Sequence, residues 1–283
     1  MENKNYKIRK MRREELDIAV EWAATEGWNP GIYDADCFYA TDPNGFYIGL
    51  LNGDPISCIS AVAYNDSFGF LGFYIVKPEF RGKGYGIQIW KAALNYLKTQ
   101  NIGLDGVVEQ QENYKKSGFK LAYRNIRYQG VGGESGEDYP DIVKLSEIPF
   151  DDLKAYDGNL FPASRPQFLK CWINQPESLA LGTLQDGKLV GYSVVRKCRD
   201  GYKIGPLFAD NKDLAERLFQ ATSSFVEKSA PLFLDIPETN PAAVALAKSH
   251  DMKVVFETAR MYTKEQPDLE LDKIFGVTTF ELG

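Results

Sequence analysis

Several residue types that mark whole classes of protein are scarce in this sequence. A single histidine, His250, among 283 residues excludes a histidine-rich metal cluster. The four cysteines, Cys37, Cys58, Cys171 and Cys198, are widely spaced and contain no CxxC pair. The sequence therefore predicts neither a zinc site nor a disulfide scaffold, and we expect four reduced, mostly buried thiols and no bound metal.

Long apolar runs and an excess of basic residues are also missing. No apolar run is long enough to cross a bilayer, and the polar N-terminus from Met1 to Tyr6 does not lead into the apolar core of a signal peptide. The formal net charge of -6 argues against a nucleic-acid-binding protein, which needs a basic face. We therefore expect a cytoplasmic protein with no nucleic-acid or membrane partner. Its mildly anionic surface suits cationic amines.

The composition, with 44% hydrophobic and 25% charged residues, is that of a globular protein with a true core. Hydrophobic periodicity in the first half alternates between the strand and helix types. Predicted strands cover residues 6–10, 46–51, 56–64, 68–76, 104–108 and 119–128, and predicted helices cover about 13–24, the segment after a glycine-rich loop to about 98, and 113–117. This order predicts an α/β (α+β) fold with a mixed sheet.

A segment rich in glycine and acidic residues divides the chain. Residues 131–141 contain almost nothing to bury, so we predict a linker there, between domains at 1–130 and 142–283. The second half repeats the order of elements, with strands at 179–185, 188–197, 202–208, 232–236 and from 252 onward, and helices at 213–228 and 241–249. The order predicts an internal structural repeat of two tandem domains, each a mostly antiparallel sheet flanked by helices.

The loop Arg81-Gly82-Lys83-Gly84-Tyr85-Gly86 lies between a predicted strand and a predicted helix. Such a turn points backbone N–H groups at one spot beside the positive end of the helix dipole, so it favours phosphate binding. Gly82, Gly84 and Gly86 allow close approach and positive φ, while Arg81 and Lys83 supply positive charge. The spacing fits neither a Walker A nor a Rossmann fingerprint. An ordinary strand–turn–helix corner is the alternative, but it leaves the two cations unexplained.

The run from Tyr74 to Gly86 resembles the acetyl-CoA motif R/Q-x-x-G-x-G/A of the GNAT superfamily, including its preceding strand. The resemblance implies that the backbone of Ile75 and Val76 pairs with the pantetheine arm of acetyl-CoA. It also implies that Arg81, Gly82, Lys83, Gly84, Tyr85 and Gly86 hold the pyrophosphate.

The segment Asn113-Tyr114-Lys115-Lys116-Ser117-Gly118-Phe119 resembles the N-x-x-Y-x-x-x-G-F region of the same superfamily. The resemblance implies that Tyr114 is the general acid for the departing thiolate, and it offers Asn113 as a cofactor contact although its spacing departs from the pattern. The alternative role for Tyr114 is packing. Glu109, at the end of a predicted strand, is the candidate base, with Glu79 and Glu112 as competitors and a solvated surface role as the alternative.

Acceptor-binding residues are sought in two places. The aromatic segment around Trp28 and Tyr33 lies where this superfamily builds its acceptor wall, although core packing also explains such residues. In the second half, Arg165 and Glu238 lie at the ends of predicted helices or strands, where they could bind the acceptor. Helix capping and surface solvation are the alternative roles for them.

The second half lacks both the glycine loop and the tyrosine. Tyr202 to Asp210 replaces the strand and loop, and Ala247 stands where Tyr114 does. The segments Phe161-Pro162-Ala163-Ser164-Arg165, Gly205-Pro206-Leu207-Phe208 and Phe275 to Gly283 resemble the C-terminal domain that is fused to a GNAT domain in a family of tandem acetyltransferases. We therefore expect a degenerate copy that caps the acceptor cleft or mediates dimerisation, so a homodimer is compatible with the sequence.

The resemblance predicts an N-acetyltransferase that moves acetyl from acetyl-CoA to a small-molecule or protein amine by direct attack in a ternary complex. A non-catalytic acetyl-CoA-binding regulatory module is the alternative. Phosphate binding unrelated to acetyl-CoA is a third interpretation.

Overall fold

A computed structural model of the chain describes residues 5–133 and 139–283, so residues 134–138 of the predicted linker lie outside the described residues. The first range contains β1 (Tyr6–Lys10), α1 (Arg13–Thr25), α2 (Asp34–Thr41), β2 (Phe46–Leu51), β3 (Asp54–Ala63), β4 (Phe68–Val76), α3 (Tyr85–Tyr96), β5 (Asn101–Val107), α4 (Gln111–Lys115) and β6 (Lys120–Val131). The second contains β7 (Ile142–Lys144), α5 (Phe150–Asp157), α6 (Pro166–Trp172), β8 (Ser178–Gln185), β9 (Lys188–Lys197), β10 (Tyr202–Ala209), α7 (Lys212–Ser223), β11 (Pro231–Pro237), α8 (Pro241–Ser249), β12 (Lys253–Tyr262) and β13 (Ile274–Gly276).

Helix α7 is shorter than its apolar periodicity predicts. It begins where Asn211 accepts hydrogen bonds from the backbone N–H groups of Asp213 and Leu214, which caps its first turn. It ends at Ser223, and not at residue 228 as predicted. Thr222 and the following serines turn their hydroxyls back onto backbone carbonyls of the preceding turn, which weakens continuation of the helix.

The strands of the described residues form one mixed sheet in the order β1-β2-β3-β4-β5-β12-β6-β11-β10-β9-β8-β7, with β13 paired to β10. Neighbouring strands are antiparallel except for two parallel pairs, β4 with β5 and β10 with β11. Both pairs occupy equivalent places in their halves. The mixed sheet and the repeated order of elements are therefore as the sequence predicts.

The two halves exchange their sixth strands. β12, from the second half, lies beside β5 of the first, and β6, from the first half, lies beside β11 of the second. β6 and β12 also pair with each other along most of their length, from Lys120 opposite Tyr262 to Gln129 opposite Lys253. Each half therefore completes the sheet of the other. The two sheets that the sequence predicts, one for each half, are joined through these exchanged strands into one continuous sheet.

Helices from both halves share one hydrophobic core. Side chains of α1, α2, α5 and α6 pack together there, with Phe38 of α2 stacked on Trp172 of α6 at a centroid distance of 6.0 Å. A disulfide joins Cys37 of α2 to Cys171 of α6, while Cys58 and Cys198 are free and buried. The expectation of four reduced thiols is therefore wrong. The two sulfurs are 134 residues apart in sequence, so only the packing of the helices brings them together.

Removing the disulfide should lower stability. Replacing Cys37 by Ser should reduce the free energy of unfolding by about 2–4 kcal/mol, because the cross-link constrains a long stretch of unfolded chain. Thermal unfolding with and without a reductant measures the effect. The reductant should lower the Tm of the wild type but leave that of Cys37→Ser unchanged. Alkylation of four thiols in unfolded, unreduced protein would contradict the disulfide.

No helix among the described residues is both long and apolar enough to span a membrane.

Candidate functional site

Strands β4 and β5 separate partway along their length. Their parallel ladder covers only Phe68–Leu71 and residues 101–104, although both strands continue beyond it. At this point β4 carries a bulge, where Ser60 and Cys58 of β3 face Gly72 and Ile75, and Phe73 adopts φ 47°. The bulge turns β4 away from β5. After Leu71 this edge of β4, which includes the backbone of Ile75 and Val76, pairs with no strand of the described residues. It can therefore pair with a ligand, although the carbonyl of Val76 already accepts one hydrogen bond from Arg81.

The separation opens a cleft of about 750 Å³. This volume is in the range of small-molecule and cofactor sites. Its walls come from the loop after α1, β4, the glycine loop, α3, β5 with the turn after it, and α4. β12 and the C-terminal segment complete them. The lining residues used below are Glu26, Trp28, Gly72, Ile75, Val76, Arg81, Gly82, Gly84, Gly86, Asp105, Glu109, Tyr114, Phe256, Thr258, Phe280 and Glu281.

The glycines of the loop have two different functions. Gly82 and Gly84 have φ values of 73° and 83°, and an added Cβ at either would point into open space. Gly86 is instead a close-packing position, because its added Cβ would lie 2.7 Å from the hydroxyl of Tyr74. Gly84 precedes α3 without a side-chain cap, so the N–H groups of the first turn remain available to an anion.

The side chains of the loop differ in where they point. Arg81 forms an ion pair with Glu26 and donates to the carbonyl of Val76 at 2.8 Å, so it lies at the cleft with its guanidinium already held. Lys83 does not line the cleft, and its ammonium lies 5.6 Å from the ring centroid of Phe80. The ring of Tyr85 is buried against Tyr6 at 4.8 Å, so only its backbone at the start of α3 is placed to meet a phosphate.

Tyr114 lies inside the cleft. Its ring stacks on Trp90 at 5.6 Å and packs against Gly106 of β5, where an added Cβ would collide with the ring. Burial, and secondly Tyr74, raise the pKa of Tyr114 above that of a free phenol. No described residue forms a hydrogen bond with its hydroxyl. The side chain thus presents a protonated donor to whatever occupies the cleft.

Asn113 and Glu109, the other two candidates near Tyr114 in the sequence, differ in position. Asn113 does not line the cleft, and its side-chain amide donates to Oε1 of Gln110, which does, at 2.7 Å. Its contact with the cofactor stays a prediction. Glu109 lines the cleft but is exposed, in a short 3-10 helix after β5. Among the competing bases, Glu112 is an exposed partner of Lys115.

Only one of the four acceptor-binding candidates lines the cleft. Trp28 does, and its carbonyl accepts a hydrogen bond of 2.7 Å from Arg127. Tyr33 precedes α2, outside the cleft. Arg165 is 2% exposed and forms a bidentate ion pair with Asp157, because a buried guanidinium needs a countercharge. Glu238 accepts from the backbone N–H of Arg124, outside the cleft.

Four cleft residues of the second half were not predicted from the sequence: Phe256, Thr258, Phe280 and Glu281. β12 brings the first two to the cleft because it replaces a strand beside β5. The C-terminal segment brings the others and passes so close to Gly72 that a Cβ there would collide with the Glu281 carbonyl. The one available signal was Glu281 itself, a lone charge in the apolar ending from Phe275 to Leu282.

The equivalent separation in the second half is filled. The ladder between β10 and β11 also ends early, at Ile204 and Leu234. Beyond it β13 pairs with Leu207 and Phe208 of β10, and the N–H of Val277 donates to the carbonyl of Asp235 at 2.8 Å. The chain therefore places its own backbone between β10 and β11, where the first half has an open cleft.

Comparison with known proteins agrees with this geometry. The sequence profile of the Acetyltransferase (GNAT) family matches residues 9–119, and that of an Acetyltransferase (GNAT) domain matches residues 153–276. Holothin acyltransferase of Pseudoalteromonas sp. (strain SANK 73390) is 31% identical over 270 residues, which cover 95% of this chain and 92% of that protein. The chain belongs to the GNAT acetyltransferase family. It is an N-acyltransferase with two GNAT regions in tandem.

Solved structures share the fold of this GNAT protein. A putative acetyltransferase from Pyrococcus horikoshii superposes with a TM-score of 0.85 at 20% identity, covering 100% of this chain and 98% of that one. A tandem GNAT protein from the clavulanic acid biosynthesis pathway superposes with a TM-score of 0.62 at 11% identity, covering 93% and 99%. The tandem arrangement is therefore found in other proteins of this fold.

Proposed function

We propose that the protein transfers an acetyl group from acetyl-CoA to a primary amine by direct attack in a ternary complex. The observation that carries this proposal is the alignment of three features along one cleft. Open space at Gly82 and Gly84 meets the uncapped start of α3, the edge of β4 is free, and the hydroxyl of Tyr114 lies inside. These features suit a pyrophosphate, a pantetheine amide chain and a thioester sulfur, in that order.

The proposed step needs one acid and one proton acceptor. The amine nitrogen attacks the thioester carbon, the new C–N bond forms, and the C–S bond breaks. Tyr114 donates its proton to the leaving thiolate, and the nitrogen of the new amide returns a proton to the phenolate, directly or through water. The raised pKa keeps Tyr114 protonated before the step. Glu109, predicted from the sequence, remains the candidate general base.

The acceptor is proposed only as an amine of a small molecule or of a protein. The name of the relative from Pseudoalteromonas indicates that holothin is acylated by that protein. By analogy, a small-molecule amine is our preferred acceptor for this chain. We further propose that the second half covers the acceptor end of the cleft, which Phe256, Thr258, Phe280 and Glu281 support. No nucleic-acid or membrane partner is proposed, and the reaction is placed in the cytoplasm.

Release of free CoA in the presence of a panel of amines tests the proposed function. We expect thiol release from acetyl-CoA to increase with amine concentration and to be matched, mole for mole, by the amide detected in a mass spectrum. Acetyl-CoA binding without amine-dependent thiol release by any amine would instead support the non-catalytic regulatory module. Absence of acetyl-CoA binding would overturn both.

A further inference from the structure

Four carboxylates line the cleft, and three of them are accounted for. Glu26 is paired with Arg81, and Asp105 is paired with Arg260 at 2.6 Å. Glu109 is exposed to solvent. Glu281 differs from all three, because it is 3% exposed and takes part in none of the ion pairs of the described residues.

The surroundings of Glu281 leave part of its carboxylate available. Thr279 donates to Oε2, whereas Oε1 accepts no hydrogen bond from the described residues. Three buried cations interact electrostatically with the carboxylate, namely Arg127, Arg196 and Lys203. Each is held by another group: Arg127 by Asp235, Arg196 by Asp34, and Lys203 by the carbonyl of Asn29. Among the described residues, none of these three cations donates a hydrogen bond to Oε1 of Glu281.

A second polar group of the cleft has no partner among the described residues. Thr258 is 2% exposed and lines the cleft, and its hydroxyl forms no hydrogen bond within the part of the chain that the structure describes. A buried hydroxyl without a partner is uncommon, because leaving it unsatisfied costs free energy. A ligand that donates hydrogen bonds would satisfy both the Thr258 hydroxyl and Oε1 of Glu281.

Aromatic side chains form the walls around these two groups. Phe256 and Phe280 lie 5.8 and 4.8 Å, ring centroid to guanidinium carbon, from the buried Arg127. The same guanidinium donates to the carbonyl of Trp28, the third aromatic residue at the cleft. Arg127 is thus a positioning residue that holds three walls in place. Flat aromatic walls suit a compact ring better than a thin aliphatic chain.

From these contacts we infer that Glu281 and Thr258 form the acceptor subsite, which takes the ammonium group of a small primary amine carried on a compact apolar ring. The inference rests on the proposed function. Glu281 binds the incoming R–NH₃⁺ and accepts one proton from it, which leaves R–NH₂ with the lone pair that attacks the thioester. Glu281 later releases that proton to solvent. The hydroxyl of Thr258 accepts one hydrogen bond from the same nitrogen or donates one to it.

Benzylamine is the cationic probe, and benzyl alcohol is its neutral analogue of nearly equal size. Calorimetric titration into the CoA-bound protein measures binding without requiring turnover. Wild type should bind benzylamine at least about tenfold more tightly than benzyl alcohol, and Glu281→Gln should lose most of this preference, as expected for a hydrogen bond to a charged group. Equal binding of the two probes by wild type would overturn the inference.

Steady-state acetylation of benzylamine gives an independent readout. Glu281→Gln should lower kcat/KM for benzylamine about 10- to 100-fold, and Thr258→Val about 3- to 10-fold, while the Kd of acetyl-CoA stays unchanged. Glu147→Gln, which removes an exposed carboxylate far along the chain from the cleft residues, is the matched control with wild-type kinetics. Thr258→Val keeps the inference testable should Glu281→Gln fold poorly.

The outcomes separate the inference from the proposed function. If benzylamine is acetylated but only Glu109→Gln lowers its kcat/KM, the proposed function stands and the role of Glu281 is wrong. A lysine peptide acetylated with a higher kcat/KM than benzylamine would overturn the compact-amine subsite. If no amine is acetylated, the proposed function fails, and the calorimetric comparison still decides whether the subsite binds an ammonium group.

Discussion

Replacing Gly84 by Glu should abolish acetyl-CoA binding, with Kd raised at least about 100-fold. Gly84 has φ 83°, which a residue with a Cβ adopts only at a cost of about 1–2 kcal/mol. The new side chain would also point into the open space beside the start of α3 and place a carboxylate where the phosphates are proposed to bind. Isothermal titration with acetyl-CoA measures the loss.

The chain offers a matched control for this substitution. Gly187, in the turn between β8 and β9, has φ 74° and also faces open space, but it does not line the cleft. Gly187→Glu carries the same strain and charge, so it should bind acetyl-CoA as wild type does. Wild type should bind one acetyl-CoA per chain, because β13 fills the second separation of strands. Residual binding of one equivalent by Gly84→Glu would place the cofactor elsewhere.

Replacing Tyr114 by Phe should lower kcat by at least about 100-fold and leave the Kd of acetyl-CoA nearly unchanged. The substitution keeps the ring that stacks on Trp90 and removes only the hydroxyl. Without that proton donor the sulfur must leave as a thiolate. Because the pKa of Tyr114 is raised, the phenol keeps its proton to a higher pH than free tyrosine, and wild-type kcat should show no alkaline loss from this group below about pH 10.

Tyr128→Phe is the control for loss of a buried phenol. Tyr128 is 6% exposed, against 8% for Tyr114, and belongs to the core of the second half, away from the cleft. It should keep wild-type kcat. Retention of kcat within about threefold by Tyr114→Phe would show that the hydroxyl is not the acid and that the ring only packs.

The sequence predicted the elements that carry their own local signal. The bounds of β1, β2, β4, β9 and α8 agree residue for residue with the predicted ranges, because alternating apolar residues or a Pro-started helix define them. The glycine loop likewise lies between a strand and a helix, as predicted. For the rest of the loop the local pattern was less informative, since it could not tell the packing position Gly86 from the open positions Gly82 and Gly84.

Features that depend on long-range packing were not predicted. α2 contains the fully buried Asp34, whose charge is compensated by Arg196, 162 residues away in the sequence. The Cys37–Cys171 disulfide was not predicted for the same reason, because its two cysteines are 134 residues apart in the sequence. Arg165 was chosen as a polar residue at an element end, but its ion pair with Asp157 and its contact with Thr278 are properties of the folded core. Thr258 and Glu281 reach the cleft only through the strand exchange and the return of the C-terminal segment.

The exchange of β6 and β12 decides whether either half of the chain can fold and act without the other. A protein made from the first half alone would present the edge of β5 without its neighbour, and it would lack the floor that Phe256 and Thr258 give the cleft. The first half therefore needs β12 to complete both its sheet and its cleft, whatever else the second half does. We expect two separately expressed halves to be active only when they associate with each other.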